Sequence, residues 1–442
     1  MTDVIDSSYN SYLTAFTETP DSNISADWLE PVREDARRAF SRIGFPTRRE
    51  EDWRYFSVSP IVETPFKRAT EGPGTLDRAA LAPYSLEGGI GTQLVFVNGA
   101  YDASLSTIGE LPTGVTLTTL AKAIAEQPEL VKQHLAQTAK FDNHAFVALN
   151  TAAMGDGVFF HIARNVVFET PIHLLFVSQA GAEATVSHPR NLFIADENSQ
   201  ATLIESYVGV GENVYFTNAV TEVVLGANAV IDHYKVQRES ATAFHVATME
   251  LTLGRTANFT SHAVTLGGSA SRSDVNAFLG AEGIVCTLNC VYYGNDRQVI
   301  DNHTSIDHAF PHCDSHEIYK GILDGKSRGV FNGKIFVRED AQKTDAKQTN
   351  QTLLLSDDAQ INTKPQLEIF ADDVKCTHGA TVGQLSDEAL FYLRTRGIPV
   401  ADARNLLTYA FASDIVSRIK VDALRTQIDR LLLAQNDLEG VS

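Results

Sequence analysis

The chain has 442 residues, 43% of them hydrophobic and 21% charged, enough for two or three domains around a sizeable core. Its 55 acidic residues outnumber 36 basic ones and leave a formal charge of −19, which excludes the basic surface that nucleic acid or an anionic membrane demands. No run of apolar residues is long enough to span a bilayer, and four cysteines are too few for a disulfide framework, so a reducing, cytoplasmic compartment is expected.

Residues 1–10 hold Asp3 and Asp6 with no basic residue or apolar run, so no signal or transit peptide is expected there. An organellar stroma would fit only if a transit peptide had already been removed. Trp28, Leu29, Val32, Ala36, Ala39, Phe40 and Ile43 recur at helical steps, with Asp27 as the N-cap and Gly44 and Pro46 as the stop. A charged stretch with Trp53 and Tyr55 follows, then a loop-rich connection from Gly72 to Gly91. A strand is predicted from Leu94 to Asn98. A helix is predicted from Thr118 or Thr119 to about Ala139, interrupted by Pro128.

From about Gly157 short runs of Val, Ile, Phe, Leu and Thr alternate with small turn residues. Related segments begin at Glu197, Gly226, Gly254 and Gly280, steps of 29, 28 and 26 residues, and again at Gly325 after 45, which leaves room for two shorter repeats. Strand units at this period predict a β-solenoid, in which each coil buries its face only against its neighbours. Helix returns after Gly383: one segment with Ser386 as N-cap and Gly397 as stop, then a stripe from Val400 to about Ala434. The boundaries read as an N-terminal helical and mixed domain (1–155), a β core (156–384) and a C-terminal helical domain (385–442).

The chemistry concentrates in Pro365–Gly383, PQLEIFADDVKCTHGATVG. Cys376 and His378 share a strand face, roughly 6–7 Å apart, and offer a thiol and an imidazole to iron, zinc or an iron–sulfur unit. Two ligands are not four, so any metal here needs help from elsewhere; the alternative is a buried Cys beside a hydrogen-bonded His. Asp372 and Asp373 are adjacent, hence on opposite faces of a strand, which is poor for paired-carboxylate catalysis. Gly321–Ser327 is one residue short of a phosphate-binding P-loop and reads as a solenoid turn. Cys286 and Cys290 share an apolar strand face and read as core. His303, His308, His312, Cys313 and His316 match no zinc spacing. No nucleophile-elbow, zinc-protease or dinucleotide motif appears.

The runs YKGILDGKSRGVFNGKIFV from Tyr319, AQKTDAKQTNQTLLLSDDAQINTKPQLEI from Ala341, ADDVKCTHGATVG from Ala371 and LFYLRTRGI from Leu390 resemble the SufB/SufD family of the SUF iron–sulfur cluster assembly system. The wording around Cys376 and His378 resembles that of the SufD branch. The resemblance implies a right-handed parallel β-helix core flanked by N- and C-terminal helical domains. It also implies a scaffold with no catalytic residue of its own, working in a complex with SufB and the ATPase SufC. His378 would sit at the SufB interface with Cys376 beside it. SufB would supply the remaining ligands to a transient iron–sulfur cluster or iron, none being held stably by the chain alone. The stripe of Leu406, Leu407, Ala410, Phe411 and Ile415 would dock SufC. A SufB-like paralogue, a homodimer of the isolated chain and a β-helix enzyme acting on polysaccharide are the alternatives.

Overall fold

The computed structural model describes residues 24, 26–68, 76–86, 91–179, 181 and 183–435. The reading of residues 1–10, and parts of the Gly72–Gly91 connection, lie outside them. From Gln200 to Gly383, strands of 9–11 residues alternate between two parallel sheets, each but the last two pairing with those one coil before and after it. Val230 stands opposite Asn258, Asn258 opposite Val285, Val285 opposite Asp314, Asp314 opposite Asp345 and Asp345 opposite Lys375, steps of 28, 27, 29, 31 and 30 residues. The result is a β-solenoid of about eight turns. The 45-residue step between Gly280 and Gly325 is not two short repeats. Strand Val285–Gly294 is answered one coil later by Asp314–Leu323, whereas Gly325 leads into Arg328–Val337 of the opposite sheet, half a coil further on.

A column of left-handed turn residues fixes that spacing. Asn165, Asn198, Asn228, Thr256, Gly283, His312 and Lys343 all have positive φ, one per coil. Each donates its backbone N–H to the residue preceding its counterpart in the next coil, as Asn198 does to Ala227 O and Asn228 to Arg255 O, both at 2.8 Å. Asn tolerates this conformation because its short amide bonds locally. Here the amides stack as well, Asn228 Nδ2 to Asn198 Oδ1 and Asn198 Nδ2 to Asn165 Oδ1, each 2.8 Å.

Inward-pointing side chains fill the lumen. Phe96, Phe176 and Tyr207 stack with centroids 5.1 and 4.8 Å apart, each burial contributing roughly 1.5–3 kcal/mol. The outer face of one sheet is covered by the N-terminal segment, where Phe40, Trp53 and Phe146 pack on Phe216, Phe244 and Val246. The other is covered by the C-terminal helices, where Ala412, Ile415, Leu424 and Ile428 pack on Tyr234, Val264, Val291 and Ile322.

Most helix expectations hold. Leu29–Ile43 stops at Gly44 (φ 71°), although its N-cap is Trp28, with no side-chain cap bond, rather than Asp27. Thr118 and Thr119 end a strand, Val115–Thr119; Thr119 then caps Leu120–Glu126, and Pro128 starts a second helix to His134. The stripe from Val400 is two helices, Val400–Val416 and Asp422–Gln435, because the chain turns at Ser417–Val421 to bury Ile419 and pair Lys420 with Asp232. The region before residue 155 also contributes strands: Thr92–Val97 pairs in parallel with Ile172–Gln179.

Asn228→Val should cost about 1–3 kcal/mol in denaturant unfolding, since a β-branched residue is strained at positive φ and the stacked amide bonds are lost. Asn228→Gly should cost less, because it keeps the turn conformation.

Candidate functional site

The solenoid ends bare. Gln360–Ile369 and Lys375–Gly383 form the last coil, and each pairs on one side only. Ile369, Phe370 and Val382 are exposed there. Pro365 sits mid-strand in Gln360–Ile369, tolerable because a proline lacking its N–H fits an edge strand. Asp372 and Asp373 lie in the turn between the strands, not on opposite faces of one: the Asp373 carboxylate pairs with Lys343 and its N–H donates to Gln342 Oε1 at 2.9 Å.

On the preceding strand Ala346, Gln348, Asn350 and Thr352 are buried and alternate with more exposed residues, so these four face the lumen. Register places Cys376 over Ala346 and His378 over Gln348. Both candidate ligands therefore point along the lumen axis side of the last strand and line its open mouth, as the period-2 reading predicts. Cys376 is half-buried against Ala346, Leu367 and Val374. That burial raises its thiol above the ordinary value; Asp345 adds to the rise and the Ala346 backbone opposes it. His378 is exposed. Beneath it Gln348 Nε2 donates to Glu317 Oε2 at 2.7 Å, and burial pushes the Glu317 carboxyl up to about 7. Among the described residues no three His, Cys, Asp or Glu side chains converge to hold a metal. The mouth carries one thiol and one imidazole, Cys376 and His378.

The other candidates disperse. Cys286 and Cys290 lie in the lumen at 0% and 1% exposure, and burial raises both thiols, Cys290 to about 12. His303 is on the outer face with Nε2 2.9 Å from Asp301; His308 is in the lumen with Nε2 2.9 Å from Ser315 Oγ; His312 holds a left-handed turn. Cys313 is buried against the Ala281 carbonyl. Gly325-Lys326-Ser327 is a turn before a strand, without the helix a phosphate site needs.

On Val400–Val416 the predicted docking stripe divides. Ile415 is fully buried in the chain's own core and cannot meet a partner in this arrangement. Phe411 is half-buried under Lys320, whose ammonium lies 4.7 Å from its ring and 2.7 Å from Asp414. Leu406 and Leu407 are half-buried and Ala410 is exposed. The sequence reading missed the more exposed apolar pair, Phe391 (67%) and Tyr392 (57%) on Asp387–Thr395, with Val400 (47%) nearby. Their signal was an adjacent Phe-Tyr that cannot share one helical face.

The fold is a parallel β-helix with helical layers on both sheets, ending in a bare coil whose mouth carries a thiol and an imidazole. The chain belongs to the SufB/SufD family: the SufBD core domain of the SUF system for FeS cluster assembly matches residues 176–411, and the SufBD N-terminal region matches 6–174. It is 35% identical to an iron–sulfur cluster assembly SufBD family protein of Synechocystis over 90% of this chain and 88% of that one. It is 33% identical to the iron–sulfur cluster assembly protein SufD of Escherichia coli over 88% of both. An Arabidopsis protein, ABCI7, described as chloroplastic, is 28% identical over 93% of this chain and 86% of its own.

In the native chain a thiol reagent should modify Cys376 alone, because Cys286, Cys290 and Cys313 are buried. With its thiol raised, the rate should be slow at pH 7 and climb above pH 9; labelling that survives Cys376→Ser would contradict the placement. Glu317 gives a second check. Its folded value is raised, so its stabilising contribution is present below the unfolded carboxyl range and is lost as pH rises towards 7. Glu317→Gln should flatten that loss in unfolding measurements between pH 4 and pH 8.

Proposed function

We propose that this chain is a non-catalytic scaffold subunit of the SUF complex that joins SufB through its bare last coil and presents His378 to a nascent iron–sulfur cluster. Family membership gives it a role in SUF iron–sulfur cluster assembly. The observation that carries the finer reading is the coincidence of one unpaired edge and one ligand pair. Strand Lys375–Gly383 leaves a row of backbone donors and acceptors for a partner strand, and it also carries Cys376 and His378. Its residues are small after His378 (Gly379, Ala380, Thr381), so another backbone can approach closely. The partner would complete the coordination that two ligands leave open, with the cluster or iron as cargo rather than resident cofactor.

The imidazole of His378 can give one nitrogen to iron while the other fixes its orientation. Cys376 contributes less, because burial raises its thiol above the ordinary value and so disfavours the thiolate. The surface for SufC is the exposed part of the C-terminal helices, Phe391, Tyr392, Val400 and Ala410 with Leu406 and Leu407, rather than Ile415.

Val382→Asp should weaken copurification with SufB and leave the chain folded, since that side chain is 46% exposed at the mouth. Tyr392→Asp should weaken SufC binding and spare SufB. His378→Ala, as the only copy in cells, should keep both partners while iron–sulfur enzyme activity collapses; wild-type activity would refute the assignment.

A further inference from the structure

Gln348 lies one coil beneath His378, with their Cα positions paired in register and both residues on the lumen face. It is 1% exposed. Its amide has a definite orientation: Nε2 donates to Glu317 Oε2 at 2.7 Å, one further coil down. Gly333, in the facing sheet, leaves the room that this amide occupies; a Cβ there would collide with it. With Nε2 committed to Glu317, Oε1 is left as a buried acceptor with no partner among the described residues. A buried carbonyl oxygen without a donor is costly, and native structures rarely leave one so. The neighbouring lumen amide, Asn350, is already committed, its Nδ2 donating to the Tyr319 carbonyl at 3.2 Å. The ladder residue on the mouth side is His378. The His378 ring is exposed and makes no bond to Gln348 in this arrangement; because strands in one sheet lie about 4.8 Å apart, turning the imidazole down the lumen would bring a ring N–H to the Gln348 oxygen.

We propose that Gln348 is the positioning residue of His378: Oε1 accepts a hydrogen bond from one ring N–H, which fixes the tautomer and turns the other nitrogen outward, towards the open edge. The inference rests on the reading of His378 as the ligand presented to the cluster. It adds a supporting stack, Glu317 holding Gln348 and Gln348 holding His378, that sets the ring before any partner arrives. Outer-shell partners of this kind commonly change metal affinity or activity by about 10–100-fold when removed.

The test uses the full chain with ¹⁵N-labelled histidine, the His378 ring signals being assigned by their loss in His378→Ala. In the wild type the ring nitrogens should report one predominant tautomer. Gln348→Leu should shift them to the mixed-tautomer values of a free imidazole, and Gln348→Glu, which keeps an acceptor at the same reach, should restore the fixed form. If Gln348→Leu does not fold, Gln348→Asn serves: it keeps the amide but withdraws the oxygen by one methylene, and it should give the same shift. Ring signals unchanged between wild type and the folded variant would overturn the proposal. Because this readout needs neither partner nor cluster, its failure is distinct from failure of the scaffold reading, which the cellular His378→Ala experiment decides.

Discussion

The parallel ladder is the constraint on which everything else depends. Every strand of the solenoid satisfies its backbone through strands one coil away, so the stack must stop somewhere with groups unpaired. At the N-terminal end the chain meets this with strands of its own. Val115–Thr119 turns antiparallel to close one sheet, and the short Thr92–Val97 to Ala100–Tyr101 hairpin closes the other. At the C-terminal end it does not, and Lys375–Gly383 is left with one neighbour.

The helical layers are held to the solenoid by buried polar contacts as well as by apolar packing. Arg190 and Glu222 form a fully buried ion pair at 2.6 Å, and Glu222 also accepts backbone N–H groups from Ala136, Thr138 and Ala139. Arg272 is clamped between Asp274, Asp301 and the Trp53 ring, 3.8 Å away. Lys320 does the same for the C-terminal helices through Asp414 and Phe411. Such pairs stabilise little over apolar substitutes, but losing one partner strands a buried charge, so they specify where each layer sits. The rigidity they confer reaches the last coil only from below; among the described residues no further strand lies above it.

How much of this the sequence displays depends on the range of the interaction. Period-2 alternation is local, so the shared face of Cys376 and His378 was legible, as was the core placement of Cys286 and Cys290. The solenoid period was legible where a glycine opened the turn, at Gly226, Gly254 and Gly280. It was lost where the left-handed position is held by His312 or Lys343, residues that do not advertise a turn. The half-coil offset of Gly325 could not be read, because both sheets use similar turns. Ile415 and Phe391 went the other way round for a related reason: helical periodicity identifies an apolar stripe, but which apolar residues face the chain's own sheet is decided by a surface remote in sequence, from Tyr234 to Ile322. Gln348 lies in a run that resembles the family but has no chemical motif of its own; only register sets it beneath His378.

The central claim is that the bare last coil is an assembly edge. Hydrogen–deuterium exchange tests it most directly, with the chain compared alone and bound to SufB. The amides of Lys375–Gly383 should exchange fast in the isolated chain relative to Asp345–Leu354 one coil below, and should become protected when SufB binds. A complex that forms with those amides still exchanging freely would contradict the account.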